Sequence, residues 1–338
     1  MARSKNVYVI VYAVIHALVD LVCAGVLLSQ YDTSDTRSFV IALIVYNVIA
    51  FGSQPIFGLI TDRYKNPVFM AILGSLIVGS SVFMMNMLLL SAVVAGIGNA
   101  IFHIGGGVVS LRMAKGKATI PGLFVAPGTI GLFVGSYLGK ANLFTPHVFL
   151  ALLLIGCAIM YYLDKPKEFK KKEFSHKTSC LYPIAGLILF SILIRAFIGK
   201  SIYLDWRFDI QYGILLASCI FIGKAIGGVV ADVIGWEKVA VGGLLISAPM
   251  LSFGIGQSII FSLGVLFFNM TMPVTLIALA NILPNRHGLA FGLTTLAIII
   301  GALPAFAGFS FVNKPIILAI AFLSALVLYS ALRLYERK

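Results

Sequence analysis

His16 and Asp20 are the first residues along the chain whose types and spacing could support chemistry. They lie four residues apart inside an apolar run from Val7 to Ser29. Groups at positions i and i+4 share one face of a helix, and a run of this length can cross a bilayer. An ionisable group at membrane depth is strongly unfavourable unless it faces other protein or water. The pair therefore predicts a polar patch inside the membrane, as is typical of a pathway for a solute or for protons.

Proton transfer is one chemistry that this pair could perform. A carboxylate in a low-dielectric site can hold a proton near neutral pH, and a neighbouring imidazole titrates in the same range. Together, His16 and Asp20 could accept a proton from one side of the membrane and release it on the other. The alternative is a satisfied polar pair, in which each side chain bonds a polar group of the next helix.

Three further polar residues lie at membrane depth and could contact a substrate. His103 follows Asn99 by about one helical turn and precedes the glycines at 105–107, which let helices approach closely or let a helix bend. Arg195 lies well inside an apolar run, and a buried arginine is best stabilised by an anion. That anion could be an acidic substrate or a carboxylate of the chain such as Asp20. His103 could instead be a packing residue.

Lysines near the ends of apolar runs are weaker candidates. Lys200 lies close to the outer end of its run, so it could contact substrate or extend its ammonium group to the interface. Lys224 lies about two turns from the cytoplasmic end of its run. For Lys224 we favour an extended side chain that reaches the interface.

The composition places these residues in a membrane protein. Hydrophobic residues make up 60% of the 338 residues and charged residues 11%, with a mean hydropathy of +1.03. Soluble domains average about 45–50% apolar and ~25% charged residues. Polar breaks divide the chain into about twelve continuous apolar spans, which have the length of membrane helices and lack the alternation of barrel strands. We number them spans 1–12 in chain order: 7–29, 38–60, 67–86, 88–111, 119–139, 146–163, 181–201, 210–231, 238–255, 258–282, 288–311 and 314–334.

The distribution of positive charge predicts the topology. The formal net charge of +13 would suggest nucleic-acid binding in a soluble protein. If Met1 is cytoplasmic, however, most of the 25 Lys and Arg fall on the cytoplasmic side, and those clearly on the other side are Arg37, Lys140, Arg207 and Lys314. This positive-inside bias predicts a multi-pass protein of the cell inner (plasma) membrane with both termini in the cytoplasm. We expect no nucleic-acid partner.

Signatures of enzymes and cofactor sites are missing from the sequence. The chain has no GxxxxGK[ST] loop, no GxSxG and no HExxH, and its four cysteines form no CxxC. We therefore predict that the protein is not an enzyme, that it does not hydrolyse ATP, and that it has no cofactor and no metal site.

A basic polar stretch divides the chain into two halves. Six lysines lie between Asp164 and Lys177, and six spans lie on either side. We predict an N-terminal six-helix bundle at 1–163, a cytoplasmic basic linker at 164–180 and a C-terminal six-helix bundle at 181–338. The linker is interpreted as a solvated segment that helps to set topology, and contact with anionic lipid is the alternative.

The two halves repeat each other at a spacing of 170 residues. Gly58 and Asp62 correspond to Gly228 and Asp232, so the second span of each half ends in Gly-x-x-x-Asp. Repeats of this kind are typical of secondary transporters, which place their site at the repeat interface near mid-membrane. The other correspondences are Asn99 with Asn269, Gly122 with Gly292, and Gly131 with Gly301.

Span 5 carries a regular series of glycines. Gly131, Gly135 and Gly139 are spaced by four residues, which predicts a smooth stripe for close helix packing. The stretch from Gly128 to Gly131 loosely resembles the antiporter signature of transporters that have such a span. The two interpretations are compatible.

The loop between spans 2 and 3 resembles a family signature. It reads Gly58-Leu-Ile-Thr-Asp62-Arg63-Tyr64-Lys65, similar to the loop 2–3 signature of the major facilitator superfamily, and Gly228-Val-Val-Ala-Asp232 resembles the second-half copy. Within that superfamily, the chain is similar to fosmidomycin-resistance-type efflux proteins. The segments that carry this likeness include His16-Ala-Leu-Val-Asp20, Gln54-Pro55, Gly98-x-x-x-Phe102-His103, Met113-Ala114-x-Gly116, Leu283-Pro284-x-Arg286-x-Gly288 and Gly292-Leu293.

The resemblance implies a fold and a gating mechanism. The fold is all-α, with twelve transmembrane helices in two pseudo-symmetric six-helix bundles that alternate access to a central site. The family's loop is expected to latch the two halves in one state. The alternative is an interfacial pair that only sets topology. The residues to which the resemblance assigns gating are Gly58, Asp62, Arg63, Gly228 and Asp232.

The resemblance also supplies most of the expected function. We expect a proton-coupled antiporter of the drug-resistance type that exports a small organic compound by alternating access. Its partners would be the small-molecule substrate, protons and the lipid bilayer, and we expect a monomer. The alternatives are an importer or uniporter of a metabolite, and a non-transporting sensor with the same fold. The assigned residues are Asp20 and His16 for proton coupling, and His103, Arg195, Asn99 and Lys200 for substrate, the two cations favouring an anionic or phosphonate-like compound.

Overall fold

A computed structural model describes residues 2–163 and 181–336, and these residues form helices with no regular strand. The predicted linker at 164–180 lies outside the described residues. We keep the span numbers of the sequence for the helical segments. Their bounds are Ala2–Leu28, Thr36–Tyr64, Pro67–Met84, Leu88–Ala114, Thr119–Lys140, Pro146–Tyr162, Tyr182–Ser201, Ile210–Ile234, Trp236–Phe253, Ser258–Ile282, His287–Phe306 and Lys314–Glu336 for spans 1 to 12.

The predicted membrane helices are confirmed within the described residues. Ten of the helices are long and apolar enough to cross a membrane. Span 6 is equally apolar but has 17 residues, and span 9 has 18 residues with a charged first turn. Most span limits differ from the predicted limits by a few residues, because hydropathy marks the apolar interior of a helix and not its polar ends.

Two spans are interrupted where the sequence disfavours a continuous helix. Span 2 breaks at Ser53, between a helix that ends at Gly52 and one that begins at Gln54 and has Pro55 in its first turn. Span 10 breaks at Met270, just before Pro273. Proline has no backbone N–H to donate to the carbonyl four residues earlier. Pro55 and Pro273 therefore each remove one hydrogen bond of a continuous helix, and both breaks lie beside these prolines.

Short polar turns begin the next helices. The Asp35 carboxylate accepts a hydrogen bond from the Ser38 backbone N–H at 3.0 Å and so caps span 2. Hydrogen bonds from Ser38 also lower the pKa of this exposed carboxyl group. Asn66 caps span 3 in the same way through Phe69, at 3.2 Å. These caps fix where helices start without a long loop.

Contacts divide the chain into two units. The first contains the described residues of Met1–Met113, Pro127–Glu168 and Asn285–Leu296. Within it, span 1 packs on spans 3 and 6, and span 3 packs on span 6. The start of span 11 belongs to this unit although it comes from the other half of the sequence.

The second unit contains the described residues of Ala114–Ala126, Phe169–Pro284 and Ala297–Lys338. Within it, span 12 packs on spans 7 and 9, and span 10 packs on spans 8 and 9. The start of span 5 belongs here, which mirrors the assignment of the start of span 11. The division of the chain into contact units thus follows the same repeat as the sequence.

Glycine lets span 5 approach span 1 closely. A Cβ at Gly131 would overlap the carbonyl oxygen of Ala17, and a Cβ at Gly135 would overlap that of Leu21. A Cβ at Gly139 would lie 2.9 Å from Leu28. The predicted stripe is therefore confirmed as a packing surface, which matters because lipid offers little hydrophobic drive for helix association.

We predict that Gly135→Val destabilises the protein by about 1–3 kcal/mol, the usual effect of overpacking. The added side chain would collide with backbone that cannot move aside. The measurement is the melting temperature of the detergent-purified protein. Gly186→Val is the matched control, since Gly186 also lies in a helix but its Cβ would meet nothing within 4 Å. Equal melting temperatures for the two variants would contradict the packing role.

Candidate functional site

Three titratable side chains meet inside the first unit. His16 Nε2 lies 2.9 Å from His103 Nε2 and 3.3 Å from Asp20 Oδ2. His103 Nε2 lies 3.8 Å from Asp20 Oδ1. His16 is only 3% exposed and His103 only 8%. Spans 1 and 4 thus bring the predicted proton pair and a predicted substrate residue into one cluster, which we call the His–Asp cluster.

Two further contacts orient the cluster. Asn99 Nδ2 donates a hydrogen bond to Asp20 Oδ1 at 2.9 Å, which holds the carboxylate in place. His103 Nδ1 lies 2.9 Å from the backbone carbonyl oxygen of Asn99. A carbonyl can only accept, so Nδ1 of His103 carries the hydrogen and the neutral ring presents a lone pair at Nε2.

This orientation places one shared hydrogen between the two imidazoles. With the His103 Nε2 lone pair facing His16, the His16 Nε2–H is the donor in the neutral pair. A second proton would make both nitrogens donors and would need the nearby Asp20 carboxylate to compensate its charge.

Gly128 and Phe102 pack closely around the cluster. A Cβ at Gly128 would lie 2.5 Å from both Asp20 Oδ2 and His16 Nε2, so this glycine keeps span 5 close without blocking the polar atoms. The fully buried Phe102 ring lies 6.0 Å from the His16 ring, centroid to centroid. Asn99 is 2% exposed, and its Oδ1 has no partner in the described part of the chain, so it could accept a hydrogen bond from a ligand.

A divalent ion is another conceivable occupant of such a group. His16, Asp20 and His103 each offer a ligand atom within 4.8 Å of the others. Two nitrogens bound to one zinc ion would lie about 3.3 Å apart, given Zn–N bonds of ~2.0–2.1 Å in a tetrahedron. The observed 2.9 Å between the Nε2 atoms is a hydrogen-bond length, which favours a shared proton.

A buried arginine stands in the second unit. Arg195 is 8% exposed, and its guanidinium donates to the hydroxyl of Thr271 and, at 3.1 Å, to that of Thr275. Its Nε is buried without a partner among the described residues. No carboxylate in the described residues of the second unit lies within ion-pair distance of Arg195.

Lys200 is not part of either buried group. It lies in the last turn of span 7 and is exposed, as its position near the end of an apolar run suggests. The sequence interpretation did not single out Thr271 and Thr275. Their spacing of four residues in an apolar span, which places both hydroxyls on one helix face, was a signal that could have found them.

The two predicted gate aspartates cap helix N-termini. Asp62 accepts hydrogen bonds from the backbone N–H groups of Gly288 and Leu289, at 2.8 and 2.9 Å, at the start of span 11. Free N–H groups and the helix dipole make such an end attractive to a carboxylate. In the described structure, the contacts of the Asp62 carboxylate are therefore those of a helix cap.

The second half repeats this cap residue by residue. Asp232 accepts hydrogen bonds from the backbone N–H groups of Ala118 and Thr119, at 2.9 and 2.8 Å, and from the Thr119 hydroxyl at 2.6 Å. Each donor lies 170 residues before its counterpart in span 11. Trp236 adds a bond to Asp232 at 3.1 Å.

The glycines before the aspartates allow the same close approach. A Cβ at Gly58 would overlap the carbonyl oxygen of Gly288, and a Cβ at Gly228 would overlap that of Ala118. Arg63, in contrast, is exposed at the end of span 2. Its gating role stays a prediction, and so do the roles of the other four residues.

Comparison with known structures identifies the fold as that of the major facilitator superfamily. The E. coli fucose:proton symporter FucP, crystallised as a single-residue variant, has a TM-score of 0.66 and 14% sequence identity over 97% of this chain and 99% of that chain. A second structure, the major facilitator superfamily transporter FucP in the outward conformation, gives a TM-score of 0.65 with the same identity and coverage. No protein-family model matches the sequence, and no curated protein matches it. The resemblance to fosmidomycin-resistance-type proteins stays a prediction.

We predict that Asp62→Asn loosens the start of span 11. The amide can accept one backbone hydrogen bond but offers an N–H to the other donor, so a charge-assisted bond worth about 1.5–3 kcal/mol is lost. Hydrogen–deuterium exchange at Gly288 and Leu289 should then quicken by roughly tenfold or more. Arg63→Gln is the control and should leave exchange unchanged. Exchange at these amides that is equal in the two variants would contradict the cap.

Proposed function

We propose that the protein is a proton-coupled secondary transporter that works by alternating access. The observation that carries the proposal is the His–Asp cluster, a buried contact between two imidazoles and a carboxylate at membrane depth. Ionisable groups in such a place are strongly destabilising and mark proton or solute pathways. The fold supports this interpretation. FucP, which has a similar fold, is described as a fucose:proton symporter.

In this proposal, Asp20 and His16 bind the coupling proton and His103 shares it. The hydrogen between the two Nε2 atoms gives the neutral state, and a further proton is held by the imidazoles beside the Asp20 carboxylate. Asn99 keeps the carboxylate in position and offers its free Oδ1 to substrate. His103 and Asn99 would therefore sense both proton and substrate, which is what coupling requires.

Antiport with export is the mode that we propose. The stretch from Gly128 to Gly131 resembles an antiporter signature, and Gly128 is the residue of span 5 that lies against His16 and Asp20. A proton and a substrate that compete for one small polar site would exchange across the membrane. Proton symport into the cell is the second candidate, favoured by the description of FucP.

Arg195 supports an anionic substrate. A guanidinium that is 8% exposed and has only hydroxyl partners carries a charge with no neutralising group in the described chain. Its burial is unfavourable unless an anion pairs with it for part of the transport cycle. We propose that it binds a carboxylate or phosphonate group, with Lys200 as an outer contact during entry or release.

The two caps would form the gate. Gly58 with Asp62, and Gly228 with Asp232, bring matching backbone contacts to the starts of spans 11 and 5. Both contacts would open and close together, as in the rocking of two related halves. Arg63 would contribute charge at the same end. Each contact is short and directional, so it can stabilise one state strongly and be lost in the other.

The remaining expectations belong to the same proposal. The protein would be a monomer in the inner (plasma) membrane, with both termini in the cytoplasm and no enzymatic activity. Similarity to the fosmidomycin-resistance-type efflux proteins supports a role in drug resistance, through export of an organic anion.

We predict that Asp20→Asn abolishes substrate movement driven by a pH gradient while substrate exchange stays intact. An amide keeps the shape and the Asn99 contact but cannot carry the proton charge. The measurement is transport by the reconstituted protein in vesicles with and without a pH gradient. Asp35→Asn is the matched control, because asparagine caps a helix as well as aspartate does.

The same vesicles decide the direction of coupling. An antiporter moves substrate against the proton flow, so an acidic vesicle interior should drive uptake, whereas a symporter requires an acidic exterior. Asp20→Asn vesicles that still accumulate substrate on a pH gradient would overturn the assignment of Asp20. Wild-type vesicles that ignore both gradients would overturn proton coupling as a whole.

We predict that Arg195→Gln removes stabilisation by anionic compounds. The wild-type melting temperature should rise on addition of an anionic metabolite or phosphonate that binds, since a ligand of the native state stabilises it. Arg195→Gln keeps hydrogen-bond donors for Thr271 and Thr275 but loses the charge. The apparent affinity for the anionic compound should therefore fall by roughly tenfold, and the rise in melting temperature should shrink or vanish. Arg333→Gln is the control, an exposed cation elsewhere in the same unit. An unchanged ligand response in Arg195→Gln would exclude the anion contact.

A further inference from the structure

A groove lies on the second unit between spans 9 and 12, away from the polar clusters described above. Its volume is about 780 Å³. We call it the 9/12 groove and define it by Lys238, Val241, Gly242 and Leu245 on span 9 with Phe322 and Leu326 on span 12. The side chains of Leu245, Phe322 and Leu326 are all exposed, so the apolar walls of the groove lie on the outer surface of the helices.

The groove has the length of one lipid chain. Its lining runs from residue 237 to residue 245 on span 9 and from 319 to 329 on span 12. At 1.5 Å per residue these stretches measure about 10–15 Å along the helices. That is close to half of the roughly 30 Å hydrocarbon core, so the groove fits a chain that occupies one leaflet.

One end of the groove is polar and basic. Lys238 is exposed there, and no carboxylate of the described chain lies within ion-pair distance of its ammonium group. Glu237 at the same end is already paired with Arg333, at 2.8 Å between Nε and Oε2. Among the residues that line the groove, Lys238 is therefore the cation without a carboxylate partner in the described chain.

Aromatic residues mark the same end as the level of the lipid headgroups. The Trp236 and Tyr335 rings stack with centroids 6.2 Å apart, and Tyr329 lines the groove. Tryptophan and tyrosine concentrate where the hydrocarbon meets the headgroups. The groove thus has an apolar body at acyl-chain depth and the exposed Lys238 ammonium group at headgroup depth.

We propose that the 9/12 groove binds one phospholipid with an anionic headgroup. One acyl chain lies along the groove between spans 9 and 12, and the phosphate contacts Lys238. Charge complementarity selects this occupant over a second copy of the chain, whose matching surface would also be basic at this end. The proposal does not depend on the transport function.

Gly242 offers a direct way to fill the groove. A Cβ at Gly242 would meet nothing within 4 Å, so a larger side chain would project into the open groove without a clash. Gly242→Leu should therefore displace an acyl chain and leave the helices in place. Gly186→Leu is the matched control, since Gly186 lies in span 7 of the same unit with equally open surroundings.

The experiment is native mass spectrometry of the delipidated protein after titration with dioleoyl phosphatidylglycerol or dioleoyl phosphatidylcholine. Wild type and Gly186→Leu should retain one phosphatidylglycerol molecule, and Gly242→Leu should lose it. Lys238→Gln should weaken phosphatidylglycerol binding roughly fivefold, the effect of one lysine at an anionic membrane surface, and should remove the preference over phosphatidylcholine. Lys314→Gln, at the other end of span 12, should behave as wild type.

Three results would overturn the proposal. Gly242→Leu that retains the lipid at wild-type level would exclude the groove as its site. Equal wild-type binding of both lipids would exclude headgroup recognition. A wild-type dimer that becomes monomeric in Gly242→Leu would assign the groove to a second copy of the chain. If Gly242→Leu does not fold, Lys238→Gln alone decides, because an exposed lysine substitution leaves the packing unchanged.

Discussion

A hydrocarbon surrounding gives a polar side chain no water to bond, and this constraint explains most of the hydrogen bonds in the structure. Many hydroxyls turn back to a carbonyl of their own helix, as Ser75 does to Ala71 and Ser110 to Gly107. Such groups are satisfied without a partner from another span. A polar side chain that instead bonds across spans restricts both helices, so it is informative about function. The His–Asp cluster and the Arg195 hydroxyl pair are of this second kind.

Duplication has preserved backbone contacts more faithfully than chemistry. The caps made by Asp62 and Asp232 match at both backbone donors, because both depend on a glycine, a carboxylate and a helix start. The polar clusters do not repeat. The positions 170 residues after His16 and Asp20 are Gly186 and Phe190. Each half therefore makes the same backbone cap, while the His–Asp cluster and the buried Arg195 each occur in one half only of the described chain.

The same contrast appears between Asn99 and its repeat counterpart Asn269. Asn99 donates across spans to Asp20, whereas Asn269 donates to the Val265 carbonyl of its own helix, at 2.8 Å. An identical residue at an equivalent position thus has a polar partner in one half and returns to its own backbone in the other. The correspondence of sequence positions predicts the fold of the second half well and its chemistry poorly.

Hydropathy and helical spacing predicted the spans and the His16–Asp20 pair, because both depend on local sequence alone. The meeting of His103 with that pair could not be derived in this way. Depth along span 4 follows from residue number, but rotation about its axis depends on packing with its neighbours. The caps were predictable in kind, and adding 170 to Ala118 and Thr119 would have identified their donors. The 9/12 groove left no signal, since lipid-facing surfaces differ little in composition from helix contacts.

In the proposed mechanism, the bond from His103 Nδ1 to the Asn99 carbonyl limits how protons can pass through this ring. A histidine can relay protons by taking one at the first nitrogen and releasing one from the second, or by flipping its ring. Here Nδ1 is held by a bond within its own helix, so a proton-coupled transporter of the proposed kind would exchange protons at Nε2. Such a ring would not relay a proton from one nitrogen to the other. In that mechanism, a movement of the surrounding helices would change which face of the membrane Nε2 is open to.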